Sequence, residues 1–148
     1  MDRGTLAARY FTQGYNCAQS VALAFTDVTG LTPEQSARMV SGFGGGVGRL
    51  REVCGAVSGM VFVASCLYGY DAPNPEAQQQ LYALIQQLAG EFKAQTGSVI
   101  CREILKNPPT DPTPDPRTAE YYAQRPCARM CYLAANALER YIAEHTKQ

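Results

Sequence analysis

The sequence has no excess charge of either sign and almost no histidine. Thirteen basic and 13 acidic residues among 148 give a formal net charge of zero. This balance provides no basic surface for nucleic acid or for an anionic membrane, so we expect neither partner. The single histidine, His145, lies close to the C-terminus. Zinc sites built on imidazole and hydrolases that use a histidine base therefore lack their usual residue.

The chain also lacks an apolar run that is long and pure enough to cross a membrane. Residues 53–70 carry no charge, but they include three glycines, two serines, two cysteines and two tyrosines, and a spanning helix needs about 20 predominantly apolar residues. We interpret this run as a buried helix. The charged N-terminal residues do not resemble a secretory signal, so we expect a cytoplasmic protein. In such a reducing compartment, six cysteines favour free thiols, metal ligands or redox groups over structural disulfides.

No stretch alternates apolar and polar residues long enough to predict a strand, and the helix signals are strong. Asn16, Thr32-Pro33 and Asn74-Pro75 are typical N-terminal caps, and Gly14 and Gly97 are typical stops. We predict helices at about 5–13, 17–25, 33–40, 53–70, 75–96, 99–105, 117–124 and 127–144. The predicted fold is a single all-α domain, a helical bundle around the helix at 53–70. A Gly-rich loop precedes that helix, and an exposed Pro-rich loop covers residues 107–116.

Four cysteines fall at the start of predicted helices: Cys17, Cys54, Cys101 and Cys127. A helix N-terminus carries a partial positive charge, which stabilises a thiolate and lowers the pKa of the thiol. If the four helices converge, the thiolates could hold zinc or an iron–sulfur cluster. If two of the cysteines meet, they form a dithiol redox pair. The sequence leaves both alternatives open, and Cys54 is the leading candidate residue.

The other two cysteines have different settings. Cys66 lies 12 residues after Cys54, about 120° round the same helix and deep in an apolar segment, so we predict that it fills the core. Cys131 follows Cys127 by four residues and shares its helix face. It could be a reserve ligand or a resolving thiol, but the pattern favours a buried core cysteine.

The Gly-rich loop, SGFGGGVGR, does not match the spacing of a dinucleotide-binding or P-loop motif. Gly44, Gly45 and Gly46, with Arg49 or Arg51 nearby, could hold an anion or cofactor through backbone N–H groups. Tight packing of the loop against Cys17 or Cys101 is the favoured interpretation. Two acidic residues near the cysteines, Glu52 and Glu103, could carry protons, but the pattern favours ordinary first-turn glutamates.

Together these motifs resemble a known family. The segments NCAQSV, SGFGGG, GR, EVCGA, ICRE and PC are similar to those of the C-GCAxxG-C-C family, which is named for a redox-active role. The resemblance covers nearly the whole chain and implies a small helical bacterial protein with Cys17, Cys54, Cys101 and Cys127 as the matching cysteines. Members carry a further cysteine several residues after the position of Cys101, where this chain has LKNP. If that thiol serves the site, this protein has lost it or uses Cys131.

Two functions follow as predictions. The first is a redox protein that holds an iron–sulfur cluster or cycles a disulfide among the four cysteines, with a redox partner protein. The second is a non-enzymatic protein whose thiolates bind zinc or another soft metal for structure, sensing or delivery. Gly55 and Gly59 form a G-x-x-x-G face, which we consider as the surface of a homodimer.

Overall fold

The computed structural model describes residues 1–145, and it confirms the all-α prediction. Val53 and Ile100 form an isolated antiparallel β-bridge, and residues 1–145 contain no strand. A 3-10 turn covers Ser41–Phe43. The α-helices of this part of the chain are α1 (Arg3–Thr12), α2 (Cys17–Leu23), α3 (Thr26–Thr29), α4 (Pro33–Met39), α5 (Gly55–Tyr68), α6 (Pro75–Thr96), α7 (Cys101–Leu105), α8 (Ala119–Gln124) and α9 (Cys127–His145).

The helices begin where the sequence predicts caps. Asn16 and Gln19 form a reciprocal capping box at the start of α2, and the side chain of Thr32 accepts a hydrogen bond from Gln35 N at α4. The side chain of Asn74 accepts one from Ala77 N at α6. These bonds satisfy backbone donors that the first turn of a helix leaves free. Short-range chemistry therefore sets most helix boundaries.

The apolar run forms α5, which is two residues shorter at each end than predicted. It packs against α2, α6 and α9, and its buried residues include Val57, Met60, Val63 and Ala64. The prediction that Cys66 fills the core is wrong, because its side chain is exposed. One face of α5 is exposed to solvent. The high apolar content of the segment predicts burial on all sides, so the content alone does not reveal this face.

Two glycines let α2 approach α5 closely. A methyl group on Gly59 would lie 2.7 Å from the carbonyl oxygen of Ala18 and 3.0 Å from Cβ of Val21, and one on Gly55 would lie 3.0 Å from Cβ of Cys17. The G-x-x-x-G face is therefore filled by α2 of the same chain. It is not available as the homodimer surface considered from the sequence.

We expect Gly59→Ala to lower the free energy of unfolding by about 1–3 kcal/mol, because the added methyl group meets the backbone of α2. Gly90→Ala is the matched control. Gly90 is exposed within α6 and has no atom within 4 Å of an added methyl group, so this change should raise the free energy of unfolding by about 0.5–1 kcal/mol. Urea denaturation of the two variants measures both values. Equal effects would contradict the close approach of α2 and α5.

The Pro-rich segment contains no helix, as predicted: residues 107–116 lie between α7 and α8 without regular structure. The side chain of Arg49 connects this segment to the Gly-rich loop through Asp111 and Asp115. Within residues 1–145, no helix combines the length and hydrophobicity that a membrane crossing requires.

Candidate functional site

A short backbone pairing brings Cys54 and Cys101 together from distant parts of the chain. At the Val53–Ile100 bridge, the amide of Cys54 donates to the carbonyl of Val99 at 2.7 Å, and the amide of Cys101 donates to the carbonyl of Glu52 at 2.6 Å. These hydrogen bonds fix the start of α7 beside the start of α5. Cys54 is the N-cap residue of α5 rather than part of its first turn.

Cys17 and Cys127 are the first residues of α2 and α9, and their side chains lie close enough for each to shift the pKa of the other. Cys131, one turn further along α9, is fully buried, and its Sγ donates to the carbonyl oxygen of Cys17 at 3.7 Å. The favoured prediction for Cys131, a buried core cysteine, is therefore confirmed. All six cysteines are free thiols in the structure.

The Gly-rich loop adopts an unusual backbone. Residues 45–49 have consecutive positive φ values between 55° and 72°, and Arg51 has a φ of 62°. The turn is closed by hydrogen bonds from Gly48 N to Gly42 O at 2.8 Å and from Glu52 N to Gly46 O at 2.9 Å. Residues that carry a side chain rarely adopt positive φ values.

This turn packs tightly beside the cysteines. A methyl group on Gly46 would lie 2.7 Å from Cβ of Cys101, and one on Gly44 would lie 2.5 Å from the side chain of Asn16. Because Asn16 caps α2 directly before Cys17, the loop reaches both sides of the cysteine cluster. These contacts agree with the favoured interpretation of the loop as a packing element.

One cavity of about 390 Å³ collects the predicted site residues. Its lining includes Cys17, Cys54, Cys101, Cys127, Gly44, Gly45, Gly46 and Arg49, and it excludes Cys66 and Cys131. The volume falls within the range of small-molecule sites. The structure thus places the four cysteines around one space that a ligand can enter.

The four helix-start cysteines have raised rather than lowered pKa values, contrary to the expectation from their positions. Burial raises the pKa of Cys54 to about 12, although the nearby amides of Ala56 and Val57 lower it. Burial likewise raises the pKa of Cys101, and the nearby guanidinium of Arg51 opposes this shift. Loss of water around a charged thiolate outweighs the helix dipole here.

Cys17 and Cys127 form a coupled pair. The neighbouring Cys127 favours a thiolate at Cys17, but the neighbouring Cys131 and burial act against it, so the pKa of Cys17 lies well above its ordinary value. The neighbouring Cys17 and burial raise the pKa of Cys127.

The predicted metal ligands do not form a metal-binding geometry. Within residues 1–145, no group of three or more His, Cys, Asp or Glu side chains is arranged so that it could hold a metal ion. A zinc site needs four converging ligands, and an iron–sulfur cluster needs four thiolates around it. The four cysteines line one cavity, but within residues 1–145 they do not meet at one point as the ligands of a single zinc ion do.

Charged residues from the Pro-rich segment also reach the cavity. Arg49 Nε donates to the carbonyl of Asp111 at 2.7 Å, and its Nη1 lies 3.3 Å from Oδ2 of Asp115. Arg125 Nη2 also lies 2.8 Å from Oδ2 of Asp115. These contacts hold the Pro-rich segment against the Gly-rich loop. Pro112, Pro114 and Asp115 of this segment line the cavity.

The sequence pattern does not identify Arg117 and Arg125 as cavity residues, and it does not show that Arg51 is buried. Arg51 is 3% exposed. Arg117 stacks over the rings of Phe11 and Tyr121, with its guanidinium carbon 4.3 Å and 5.1 Å from their centroids. Arg117 and Arg125 carried no local signal, because long-range packing brings them to the site.

The two glutamates face away from this chemistry. Glu52 pairs with Arg102 at 2.9 Å on the surface, and Glu103 accepts a hydrogen bond from Ser98 Oγ at 2.8 Å. Neither lines the cavity. Glu103 lies in the first turn of α7, as the sequence pattern favours, whereas Glu52 precedes α5 and is not part of its first turn.

Comparison with known proteins identifies the family of the chain. The model of the family described as "Putative redox-active protein (C_GCAxxG_C_C)" matches residues 15–141. No curated protein and no solved structure matches the chain significantly. The matched region contains all six cysteines, the Gly-rich loop and the cavity arginines. The chain therefore belongs to the C_GCAxxG_C_C family.

Proposed function

We propose that the protein is a thiol–disulfide redox protein in which Cys17 and Cys127 cycle between a dithiol and a disulfide. The observation that carries the proposal is that the thiols of Cys17 and Cys127 are neighbours and both line the cavity. Neighbouring thiols need little rearrangement to form a sulfur–sulfur bond. Cys54 and Cys101 border the same cavity and are neighbours of this pair.

We assign the attack to Cys17 and the resolving step to Cys127. Cys17 loses its proton and attacks one sulfur of a small disulfide, forming a mixed disulfide and releasing the first thiol. Cys127 then attacks the Cys17 sulfur, and its proton goes with the second departing thiol. Two electrons pass from the two cysteines to the small disulfide. The two protons lost by Cys17 and Cys127 appear on the two thiol products.

A disulfide cycle agrees better with the geometry than a zinc site does. The pair chemistry requires two neighbouring sulfurs, which Cys17 and Cys127 supply, whereas a zinc ion requires more ligands than converge within residues 1–145. We place the activity in the cytoplasm, where a dithiol partner protein would return the disulfide to the reduced form.

Peptide mapping after oxidation tests the proposal. When the reduced protein is treated with bis(2-hydroxyethyl) disulfide, we expect a cross-link between Cys17 and Cys127 and the loss of two of the six thiols. Cys127→Ser should instead trap a mixed disulfide on Cys17. Cys66→Ser is the matched control, because Cys66 is exposed and lies outside the cavity. It should leave the cross-link unchanged.

Two results would contradict the assignment. One is a main cross-link that joins any other two cysteines in the wild-type protein. The other is an unmodified Cys17 in Cys127→Ser after the same treatment. Circular dichroism of each reduced variant checks that the helices are retained.

A further inference from the structure

We propose that Arg51 forms an anion subsite in the cavity and binds the carboxylate of a small organic ligand. Under the proposed function this ligand is the small disulfide that oxidises Cys17 and Cys127, and in that respect the inference rests on that function. The evidence for the subsite itself is the environment of the buried guanidinium of Arg51.

Arg51 is 3% exposed and has no acidic partner among residues 1–145. Its Nε donates to the carbonyl of Pro109 at 3.0 Å, and its Nη1 points to Sγ of Cys101 at 3.7 Å. In the part of the chain that the structure describes, Nη2 is buried without a hydrogen-bond partner. A buried cation with a free N–H is costly unless an anion compensates it.

The rest of the cavity does not supply that anion. Arg49 and Arg125 share the carboxylate of Asp115, which is the acidic residue of the lining. Arg117 also lines the cavity and forms no ion pair within residues 1–145. Two guanidinium charges therefore remain without a carboxylate, and a recessed site of one sign concentrates ions of the other.

The donors available favour a carboxylate over a phosphate or sulfate. Arg117 already donates from Nη1 to the carbonyl of Phe11 at 2.9 Å and from Nη2 to the carbonyl of Tyr15 at 3.0 Å. Among the cavity arginines of the described residues, Arg51 is the one with a buried nitrogen, Nη2, that has no hydrogen-bond partner. A carboxylate, with one charge on two oxygens, is served by a single charge-assisted bond, whereas a multiply charged oxyanion with more acceptor oxygens calls for more donors.

The remaining lining suits a short aliphatic chain. Phe11, Ile104, Leu105 and Met130 provide apolar surface around the cavity. Cys101 adjoins the proposed subsite, and Cys17 and Cys127 line the same cavity. A ligand held by its carboxylate would therefore keep its disulfide within the space that the thiol pair borders.

Binding of a ligand that cannot react tests the subsite directly. Suberate has the carbon skeleton of 3,3′-dithiodipropionate with methylenes in place of the two sulfurs. We expect suberate to bind the reduced protein at least tenfold more tightly than neutral 1,8-octanediol, as measured by NMR titration. Arg51→Gln should remove this difference. Arg38→Gln, which removes an exposed arginine outside the cavity, should leave it intact.

Three results would overturn the proposal. They are equal binding of suberate and octanediol to the wild type, an undiminished preference in Arg51→Gln, and equally effective displacement of suberate by sulfate at matched ionic strength. The first and third use the wild-type protein, so the test remains decisive if Arg51→Gln does not fold. Arg51→Lys keeps the charge and should retain a preference for suberate.

A redox measurement separates this inference from the proposed function. Reduced protein should be oxidised at least tenfold faster by 3,3′-dithiodipropionate than by the cationic disulfide cystamine, and Arg51→Gln should lose the ratio. If suberate binds through Arg51 but no disulfide links Cys17 to Cys127, the subsite stands and the proposed function fails. If the cross-link forms but suberate does not bind, the function stands and the subsite fails.

Discussion

Raising the pH from 7 to 11 is expected to lower the free energy of unfolding by about 3 kcal/mol through Cys54 alone. Burial holds the pKa of this thiol at about 12 in the folded protein, against an ordinary value of 9.0. Below pH 9 the thiol is neutral in both states, so its contribution to stability is fully present. As the pH rises from 9 towards 12, the unfolded chain loses the proton while the folded protein keeps it, and the contribution is lost.

The comparison of wild type with Cys54→Ala isolates this effect from other titrating groups. Urea denaturation under reducing conditions at pH 7, 9, 10 and 11 gives the free energy of unfolding of each. We expect the stability of the wild type to fall faster above pH 9, by roughly 1–2 kcal/mol for each pH unit. Parallel curves for the two proteins would show that Cys54 is not shielded from water as the structure places it.

Gly46→Ala is expected to lower the free energy of unfolding by about 3 kcal/mol or more. The added methyl group would lie 2.7 Å from both Cβ of Cys101 and the amide nitrogen of Glu52, and neither can move freely because the Val53–Ile100 bridge fixes them. Overpacking of this kind costs about 1–3 kcal/mol. The φ of 72° at Gly46 adds about 1–2 kcal/mol for a residue with a side chain.

Two neighbouring glycines separate the clash from the backbone strain. Gly48 has a φ of 55° and open space around an added methyl group, so Gly48→Ala should show the strain alone, about 1–2 kcal/mol. Gly42 has open space and no positive φ, so Gly42→Ala should change stability by less than about 0.5 kcal/mol. Urea midpoints that fall in another order would contradict the described loop.

Local chemistry explains why much of the fold could be predicted. Asn16, Thr32 and Asn74 satisfy the first amides of helices through their own side chains, and such bonds depend on three or four adjacent residues. The positive φ of Gly97 ends α6 in the same local way. These helix boundaries therefore follow from the sequence with little reference to tertiary structure.

Properties that depend on neighbours distant in sequence could not be predicted. The exposure of Cys66 depends on which faces of α5 the other helices cover. The approach of Arg117 to Phe11 spans 106 positions of the chain, and the pairing of Val53 with Ile100 joins two short segments without strand character. The helix-start position of each cysteine was visible, but its pKa depends on burial, which outweighs the helix dipole.

The positive φ values of the loop bear on which substitutions its positions tolerate. Val47, Arg49 and Arg51 occupy a backbone region where glycine would be more stable, by about 1 kcal/mol at each position. Two of these three residues are arginines whose side chains reach the cavity. A chain selected for stability alone would place glycine there. Arginine at these two positions thus lowers the stability of the fold and places positive charge in the cavity. Such a loss of stability is typical of positions where a protein binds a ligand or carries out a reaction.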